Sequence, residues 1–131
     1  DVPIIAKLPP VRYRTLFRQA ADAGVRGFHC CNTLPVPAGG MSGKPLKPVA
    51  LQCIADLRDN LAGELWDELT IIGGGGITDP ADIDDYVAAG AKHVAVGTKV
   101  MHPKYLWSDK GVRSLIERAD GLIGREQAGA S

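Results

Sequence analysis

The chain has 131 residues and a formal net charge of zero, with 15 basic and 15 acidic side chains. This length allows one small domain with a core, and the balanced charge argues against nucleic acid or an acidic membrane surface as a partner. Although 45% of the residues are hydrophobic, no apolar run approaches the length of a membrane-spanning helix.

Cysteine usage indicates a reducing compartment. Cys30, Cys31 and Cys53 form an odd set without the Cys-x-x-Cys or histidine spacing of a zinc site. We therefore expect reduced thiols, a cytoplasmic protein and no metal site. The chain begins at Asp1 without a methionine and enters a strand within two residues, so we expect a piece of a longer protein, without a signal peptide in this sequence.

Apolar runs and glycine stops predict alternating strands and helices in the first half of the chain. Residues 2–8 form an apolar run that predicts a buried strand, and residues 13–23 place apolar side chains at helical spacing. Residues 27–33 predict a second, short strand. A loop rich in proline and glycine follows at 34–47, and residues 48–61 predict an amphipathic helix.

The second half repeats the pattern. Residues 69–72 predict a third strand, residues 80–89 a helix, and residues 93–96 a fourth strand. A last helix is expected near 111–119, followed by a poorly ordered tail over 120–131. Strand–helix units in strict alternation predict an α/β domain with a parallel sheet and right-handed crossovers.

The most informative stretch is the glycine-rich turn after the third strand. Residues 70–77 read TIIGGGGI, after which Thr78 or Asp79 can cap a helix and Pro80 suits its first turn. A weaker version, Gly97-Thr98, follows the fourth strand. Glycine lets a ligand approach main-chain amides, and amides beside a helix N-terminus suit a phosphate. We therefore predict that the two turns hold one phosphate between them.

Two architectures accommodate these elements: a small open doubly wound sheet, and half of an eight-unit (β/α) barrel. A complete barrel needs roughly 250 residues, so this chain would supply about half of one. Barrels commonly bind phosphate after their last two strands. The glycine turns therefore favour the C-terminal half of a TIM barrel, with residues 1–131 as one partial domain.

Four motifs in a fixed order point to one protein family. They are residues 3–10 (PIIAKLPP), Asn32-Thr33, residues 39–43 (GGMSG) with Lys47-Pro48, and residues 71–77 (IIGGGGI) with 89–91 (AGA) and 96–98 (VGT). Together they resemble the C-terminal half of the dihydroorotate dehydrogenase family, FMN enzymes built on a (β/α) barrel. The resemblance covers nearly everything from Val2 to about Ile116. Each motif alone is weak, whereas the ordered set is specific.

The resemblance implies oxidation of dihydroorotate to orotate in pyrimidine biosynthesis, with hydride transfer to FMN while a Ser or Cys takes a proton. That base would lie outside this chain, so we assign no catalytic residue and expect the fragment to be inactive alone. The electron acceptor stays open among fumarate, quinone and NAD. The link between Thr33 and Gly39 is shorter than is usual in the family, which leaves the substrate open and keeps a dihydropyrimidine dehydrogenase-like flavin enzyme as an alternative.

The resemblance also implies roles for individual residues. Asn32 and Thr33 would contact the substrate, and Lys7 would contact the pyrimidine edge of the flavin. The other cofactor-binding residues would come from the loop and the two turns, namely Gly40, Ser42, Gly43, Gly75, Gly76, Gly97 and Thr98.

Each of these residues also has a structural interpretation. Lys7 could extend out of the barrel mouth into solvent, Asn32 could be a turn residue, GGMSG could be a flexible surface loop, and the glycine turns could form a tight rim without a ligand. Cys30 and Cys31 are interpreted as buried hydrophobes rather than bases. We interpret the three histidines, which lack metal-ligand spacing, as structural or exposed: His29, His93 and His102.

A second functional hypothesis needs no catalysis. A half-barrel has two open sheet edges, and such edges invite pairing with another chain. The chain could therefore be a phosphate-binding half-barrel that pairs with an N-terminal half-barrel or with a second copy of itself.

Overall fold

The computed structural model describes residues 2–129. Strands and helices alternate along these residues, with a short hairpin inserted between the second and third strands of the main sheet. The strands are β1 (Ile5–Leu8), β2 (Gly27–Cys30), the hairpin strands β3 (Leu34–Val36) and β4 (Gly39–Met41), β5 (Thr70–Gly74) and β6 (His93–Ala95). The α-helices are α1 (Tyr13–Asp22), α2 (Lys47–Asp56), α3 (Pro80–Ala89) and α4 (Lys110–Gly129). Shorter helical turns cover Lys44–Leu46, Leu57–Leu61, Gly63–Glu68 and Pro103–Leu106.

The main sheet is parallel and has the order β1-β2-β5-β6. Each strand is therefore hydrogen-bonded to the next main-sheet strand along the chain, and a helix lies in every connection. The carboxyl ends of all four strands meet at one edge of the sheet. The α/β architecture of four parallel strand–helix units, predicted from the alternation, is confirmed.

One face of the sheet packs against helices. Phe28 on β2 contacts Phe17 on α1 with ring centroids 4.8 Å apart, and both side chains are buried. Ile71 on β5 joins this core. Because side chains alternate along a strand, the opposite face carries Lys7 and His29, which lie opposite each other on β1 and β2. That face lines the cavity described below.

The hairpin lies inside the stretch predicted to be a loop, residues 34–47. In it Pro35 pairs with Gly40 and Leu34 with Met41, and two turn residues join the strands. Strands of three residues carry too little alternation to be recognised, and proline and glycine are poor strand formers. The ladder therefore depends on pairing across the turn rather than on local preference.

Two helices differ from their predicted bounds. The α-helical part of α2 ends at Asp56, and the chain continues as a π-helical turn over Leu57–Leu61. Helix α4 runs beyond Ala119 to Gly129, into the segment expected to be a poorly ordered tail; residues 130 and 131 lie outside the described part of the chain. Among residues 2–129, no helix has both the length and the apolar character needed to cross a bilayer.

Candidate functional site

A cavity of about 340 Å³ lies at the carboxyl edge of the sheet. The ends of β1, β2, β5 and β6 contribute to it, together with the loop between β4 and α2. It brings together nine of the ten residues with an expected binding role: Lys7, Asn32, Thr33, Ser42, Gly43, Gly75, Gly76, Gly97 and Thr98. Residues from five separate segments of the sequence therefore share one site.

Gly40 is the tenth residue, and the structure places it elsewhere. It lies on β4, where an added Cβ would stand 3.2 Å from the Thr33 hydroxyl oxygen. Its lack of a side chain allows the hairpin to pack against the residue that follows Asn32.

The two glycine turns lie side by side at the cavity. Strands β5 and β6 are neighbours, with Gly74 opposite Ala95, so the turns that follow them leave the same edge of the sheet. Gly75 and Gly76 have φ values of 125° and 69°, a region that favours glycine. Within residues 2–129, the main-chain amides at 76, 77, 97 and 98 donate no hydrogen bond to another protein group. These amides can therefore bind an anion.

The GGMSG loop packs directly on the first glycine turn. A Cβ added to Gly76 would lie 2.7 Å from the carbonyl oxygen of Gly43 and 3.0 Å from the Cα of Lys44. No side chain larger than hydrogen fits there without a shift of main-chain atoms. The glycine at 76 thus allows the loop and the turn to form one continuous wall of the cavity.

A polar network holds the chain between this turn and α3. The Asp82 carboxylate accepts hydrogen bonds from the amides of Thr78 (2.8 Å) and Asp79 (2.9 Å), and from the Lys47 ammonium at 2.6 Å. Burial opposes ionisation of Asp82, but the Lys47 ammonium and the two amides outweigh it and hold the pKa of this carboxyl well below its usual range. From the β6 side, Lys99 donates to the Thr78 carbonyl, which links the two turns.

The side chains on the floor of the cavity are larger on β1 and β2 than on β5 and β6. Lys7 and His29 lie opposite each other on β1 and β2, whereas Gly74 and Ala95 lie opposite each other on β5 and β6. The His29 Nε2 would be 2.8 Å from a Cβ on Gly74, so the imidazole extends over the glycine. Burial and the nearby Lys7 ammonium lower the pKa of His29. The floor therefore has a cationic end at Lys7, the His29 imidazole over Gly74, and a small side chain at Ala95.

Sequence reasoning missed His29 as a cavity residue and interpreted it as structural or exposed. Strand alternation with the β1–β2 register would have placed it beside Lys7, but that register is not visible in the sequence. Seven further residues line the cavity without having been singled out as ligand contacts: Cys31, Leu46, Gly74, Ile77, Thr78, Ala95 and Val96.

Asn32 and Thr33 lie at the rim of the cavity and are exposed. The main-chain N–H of Asn32 donates to the Leu8 carbonyl at 2.8 Å, which fixes the backbone of Asn32 to the end of β1. Cys31 lines the cavity, whereas Cys30 is buried in the core, where burial raises its pKa to about 12. A thiol in that environment stays protonated, as expected of a buried hydrophobe.

The site therefore suits an elongated ligand with two different ends. Free amides at the two turns match a phosphate, and the ammonium of Lys7 lies at the other end of the floor. His29, Gly74 and Ala95 line the floor between these two ends and would face the middle of such a ligand.

Comparison with known proteins gives a consistent result. The sequence matches the dihydroorotate dehydrogenase family over residues 1–118. Among curated proteins, it is similar to the catalytic subunit of dihydroorotate dehydrogenase B (NAD(+)) from Archaeoglobus fulgidus (34% identity, 80% of this chain and 38% of the relative) and from Methanopyrus kandleri (40% identity, 75% and 36%). The chain spans 36% to 42% of the length of the first such relatives.

The fold is also that of solved structures. A crystal structure of dihydroorotate dehydrogenase from Eimeria tenella in complex with ferulenol superposes with a TM-score of 0.67 at 24% identity, covering 98% of this chain and 35% of that one. A ligand-free structure from the same organism has the same TM-score, at 23% identity. At this identity the likeness concerns the fold alone, and it agrees with a part of a TIM barrel.

Proposed function

The chain belongs to the dihydroorotate dehydrogenase family, and we propose that it is the part of an FMN-dependent oxidoreductase that binds the flavin phosphate. The reaction proposed for the complete protein is the conversion of dihydroorotate into orotate, a step of pyrimidine biosynthesis, in the cytoplasm. The relatives carry NAD(+) in their names, which favours NAD(+) as the acceptor over fumarate or quinone.

One observation carries the proposal for FMN. The amides at 76, 77, 97 and 98 lie at one cavity and are not used by the described part of the protein. Unpaired main-chain donors at a glycine turn before a helix suit a phosphate, because the N–H groups and the helix dipole both favour negative charge there. A phosphate bound by both turns would take up these donors together.

Lys7 is proposed to bind the far end of the cofactor. The chemistry that FMN would supply here is acceptance of a hydride from the substrate, which would leave the reduced ring negatively charged. The ammonium of Lys7 is exposed towards the cavity, and it would stabilise that charge. Ser42 and Gly43 would close over the ring from the loop before α2, and Gly40 would act only through the packing of the hairpin.

Asn32 and Thr33 are proposed to contact the substrate from the rim. An asparagine amide both donates and accepts hydrogen bonds, which suits the carboxylate and amide edges of dihydroorotate. We assign no catalytic base to this chain, and we propose that the chain alone is inactive. An N-terminal half-barrel, or a second copy, would complete the sheet along β1 and β6.

The phosphate site can be tested with one substitution. A Cβ at Gly97 meets no atom within 4 Å, and its φ lies outside the range that strains other residues. Gly97→Ala should therefore leave the fold intact and place a methyl group beside the bound phosphate. We expect the Kd for FMN, measured by quenching of flavin fluorescence, to rise about tenfold, or ~1.4 kcal/mol.

Gly121→Ala is the matched control, because a Cβ at Gly121 on α4 also meets no atom within 4 Å. It should leave the Kd unchanged. Equal affinities of the Gly97→Ala variant and the unaltered chain would argue against a phosphate at this turn.

A further inference from the structure

A buried tyrosine contacts the first glycine turn from behind. The Tyr86 side chain on α3 is fully buried, and its hydroxyl donates to the Gly75 carbonyl at 2.6 Å. Burial raises the pKa of Tyr86, so the phenol keeps its proton and remains a donor. The length of the bond is typical of a strong O–H···O interaction.

The position of this hydroxyl is fixed by the ring. A Cβ added to Gly73 would lie only 2.5 Å from the Tyr86 Cδ1, so the ring occupies the space that a side chain on β5 would take. The ring cannot move towards the strand, and α3 holds it from the other side. The hydroxyl is therefore held at one place behind the turn.

The hydrogen bond also determines where the next amide points. The Gly75 carbonyl and the Gly76 N–H belong to the same peptide group, which is trans and planar. In such a group the C=O and the N–H point in opposite directions. A carbonyl held towards the core by Tyr86 therefore directs the Gly76 N–H away from the core, where the cavity lies.

We propose that Tyr86 is a positioning residue for the phosphate, because its hydroxyl fixes the orientation of the Gly75–Gly76 peptide and so directs the Gly76 amide to the ligand. This inference rests on the function proposed above. It assigns a binding role to a buried side chain that does not line the cavity.

The test is the Tyr86→Phe variant of the 131-residue chain, with FMN and riboflavin as the two probes. Riboflavin has the same ring and lacks the phosphate, so it reports contacts other than the phosphate site. We expect the Kd for FMN to rise about fivefold, as for one misaligned donor to a charged group, and the Kd for riboflavin to stay the same.

Tyr13→Phe is the matched control. Tyr13 also donates a hydrogen bond from its hydroxyl, to Asp56 at 2.6 Å, but it does not line the cavity. It controls for the general loss of stability that follows removal of a tyrosine hydroxyl. We expect this variant to keep the ratio of FMN to riboflavin affinity of the unaltered chain.

The possible failures can be told apart. If the unaltered chain binds FMN no better than riboflavin, the phosphate site itself is wrong and the inference is wrong with it. If FMN is preferred but Tyr86→Phe keeps that preference, only the role of Tyr86 is overturned.

If circular dichroism shows that Tyr86→Phe does not fold, the inference is tested instead by the NMR resonance of the Gly76 amide in the unaltered chain. Addition of FMN should shift it and slow its hydrogen exchange, and an unchanged resonance would overturn the inference.

Discussion

The imidazole of His29 occupies the space that a side chain at residue 74 would fill. It is half-buried beside Lys7, and both effects disfavour its protonated form. The neutral imidazole keeps one donor and one acceptor. A ligand above Gly74 would therefore meet a charged donor on β1 and a neutral polar group on β2.

The lowered pKa of His29 predicts how stability depends on pH. In the unfolded chain His29 takes up a proton near pH 6.5, whereas in the folded chain His29 is protonated only at lower pH. Between these two values the unfolded state binds more protons, so the free energy of unfolding falls as the pH falls below about 6.5. We expect His29→Gln to lose part of this dependence, measured by urea unfolding between about pH 5 and about pH 7.5.

The exposed His93 on β6 supplies the comparison. His93→Gln should keep the pH dependence of the unaltered chain. If the free energy of unfolding depends on pH in the same way in both variants, the proton uptake does not come from His29.

At the scale of elements, the start of α3 is held by an ion pair with α2. Lys47 and Asp82 are 2.6 Å apart, and their side chains are 21% and 14% exposed. A second carboxylate, Asp85, lies 2.5 Å from the same ammonium and is 55% exposed. The pair therefore fixes the helix that follows the glycine turn against the helix that follows the GGMSG loop.

Removal of the Asp82 charge should destabilise the fold. Asp82→Asn leaves the largely buried Lys47 with a weaker partner and weakens the acceptor for two amides, so we expect a loss of roughly 2 kcal/mol in the free energy of unfolding at neutral pH. Since the pKa of Asp82 is lowered by folding, its contribution is present above about pH 4 and is lost as the pH falls further. The variant should therefore approach the unaltered chain in acid.

Asp109→Asn is a matched control for this prediction. Asp109, which directly precedes α4, pairs with Arg113 in the first turns of that helix, and their side chains are 69% and 66% exposed. Such pairs contribute little, so urea unfolding of this variant should match that of the unaltered chain. If Asp109→Asn lowers the free energy of unfolding as much as Asp82→Asn does, the effect comes from the loss of a negative charge in general and not from the Lys47–Asp82 pair.

Local signals predicted α3 and the turn before it correctly. Asp79, Pro80 and Gly90 mark the two ends of the helix, and the structure has it at Pro80–Ala89 with Gly90 at φ 116°. The strands of the main sheet and the carboxyl-edge position of the glycine turns also followed from apolar runs and chain order. These features depend on neighbours in the sequence, which a sequence shows directly. The first strand, however, is shorter and less buried than predicted, because it begins at Ile5 rather than residue 2 and Ile5 is 53% exposed.

Features that depend on pairing between chain segments rather than on local preference were not predicted. The hairpin needs Leu34 to pair with Met41, and the place of His29 needs the register of β1 against β2. The Tyr86 contact needs α3 to cover β5 at Gly73. The roles of the cavity residues in binding FMN and substrate stay predictions, since placement around one cavity is not evidence of contact with either molecule.

At the scale of the molecule, the main sheet has two open edges. Strand β1 forms one edge; its first residue, Ile5, is 53% exposed, and the preceding Ile4 is 65% exposed. Unpaired main-chain groups next to exposed apolar side chains favour pairing with another chain. The 131-residue chain should therefore self-associate when it is concentrated.

Light scattering across a concentration series would measure this association. We expect Ile5→Lys to reduce it, because a lysine at a sheet edge opposes pairing. Trp107→Lys is the control, since Trp107 is 90% exposed and lies outside the sheet. A monomer at every concentration would remove the case for pairing through β1.

The three cysteines differ in what a thiol reagent would reveal about them. Cys30, Cys31 and Cys53 are free and buried, but Cys31 alone lines the cavity. Alkylation at Cys30 or Cys53 therefore requires the folded structure to open, and the rate of alkylation measures how often this happens. Alkylation at Cys31 can also proceed through the cavity mouth. A small molecule bound in the cavity would therefore slow alkylation of Cys31, whereas the alkylation rates of Cys30 and Cys53 would still report how often the fold opens.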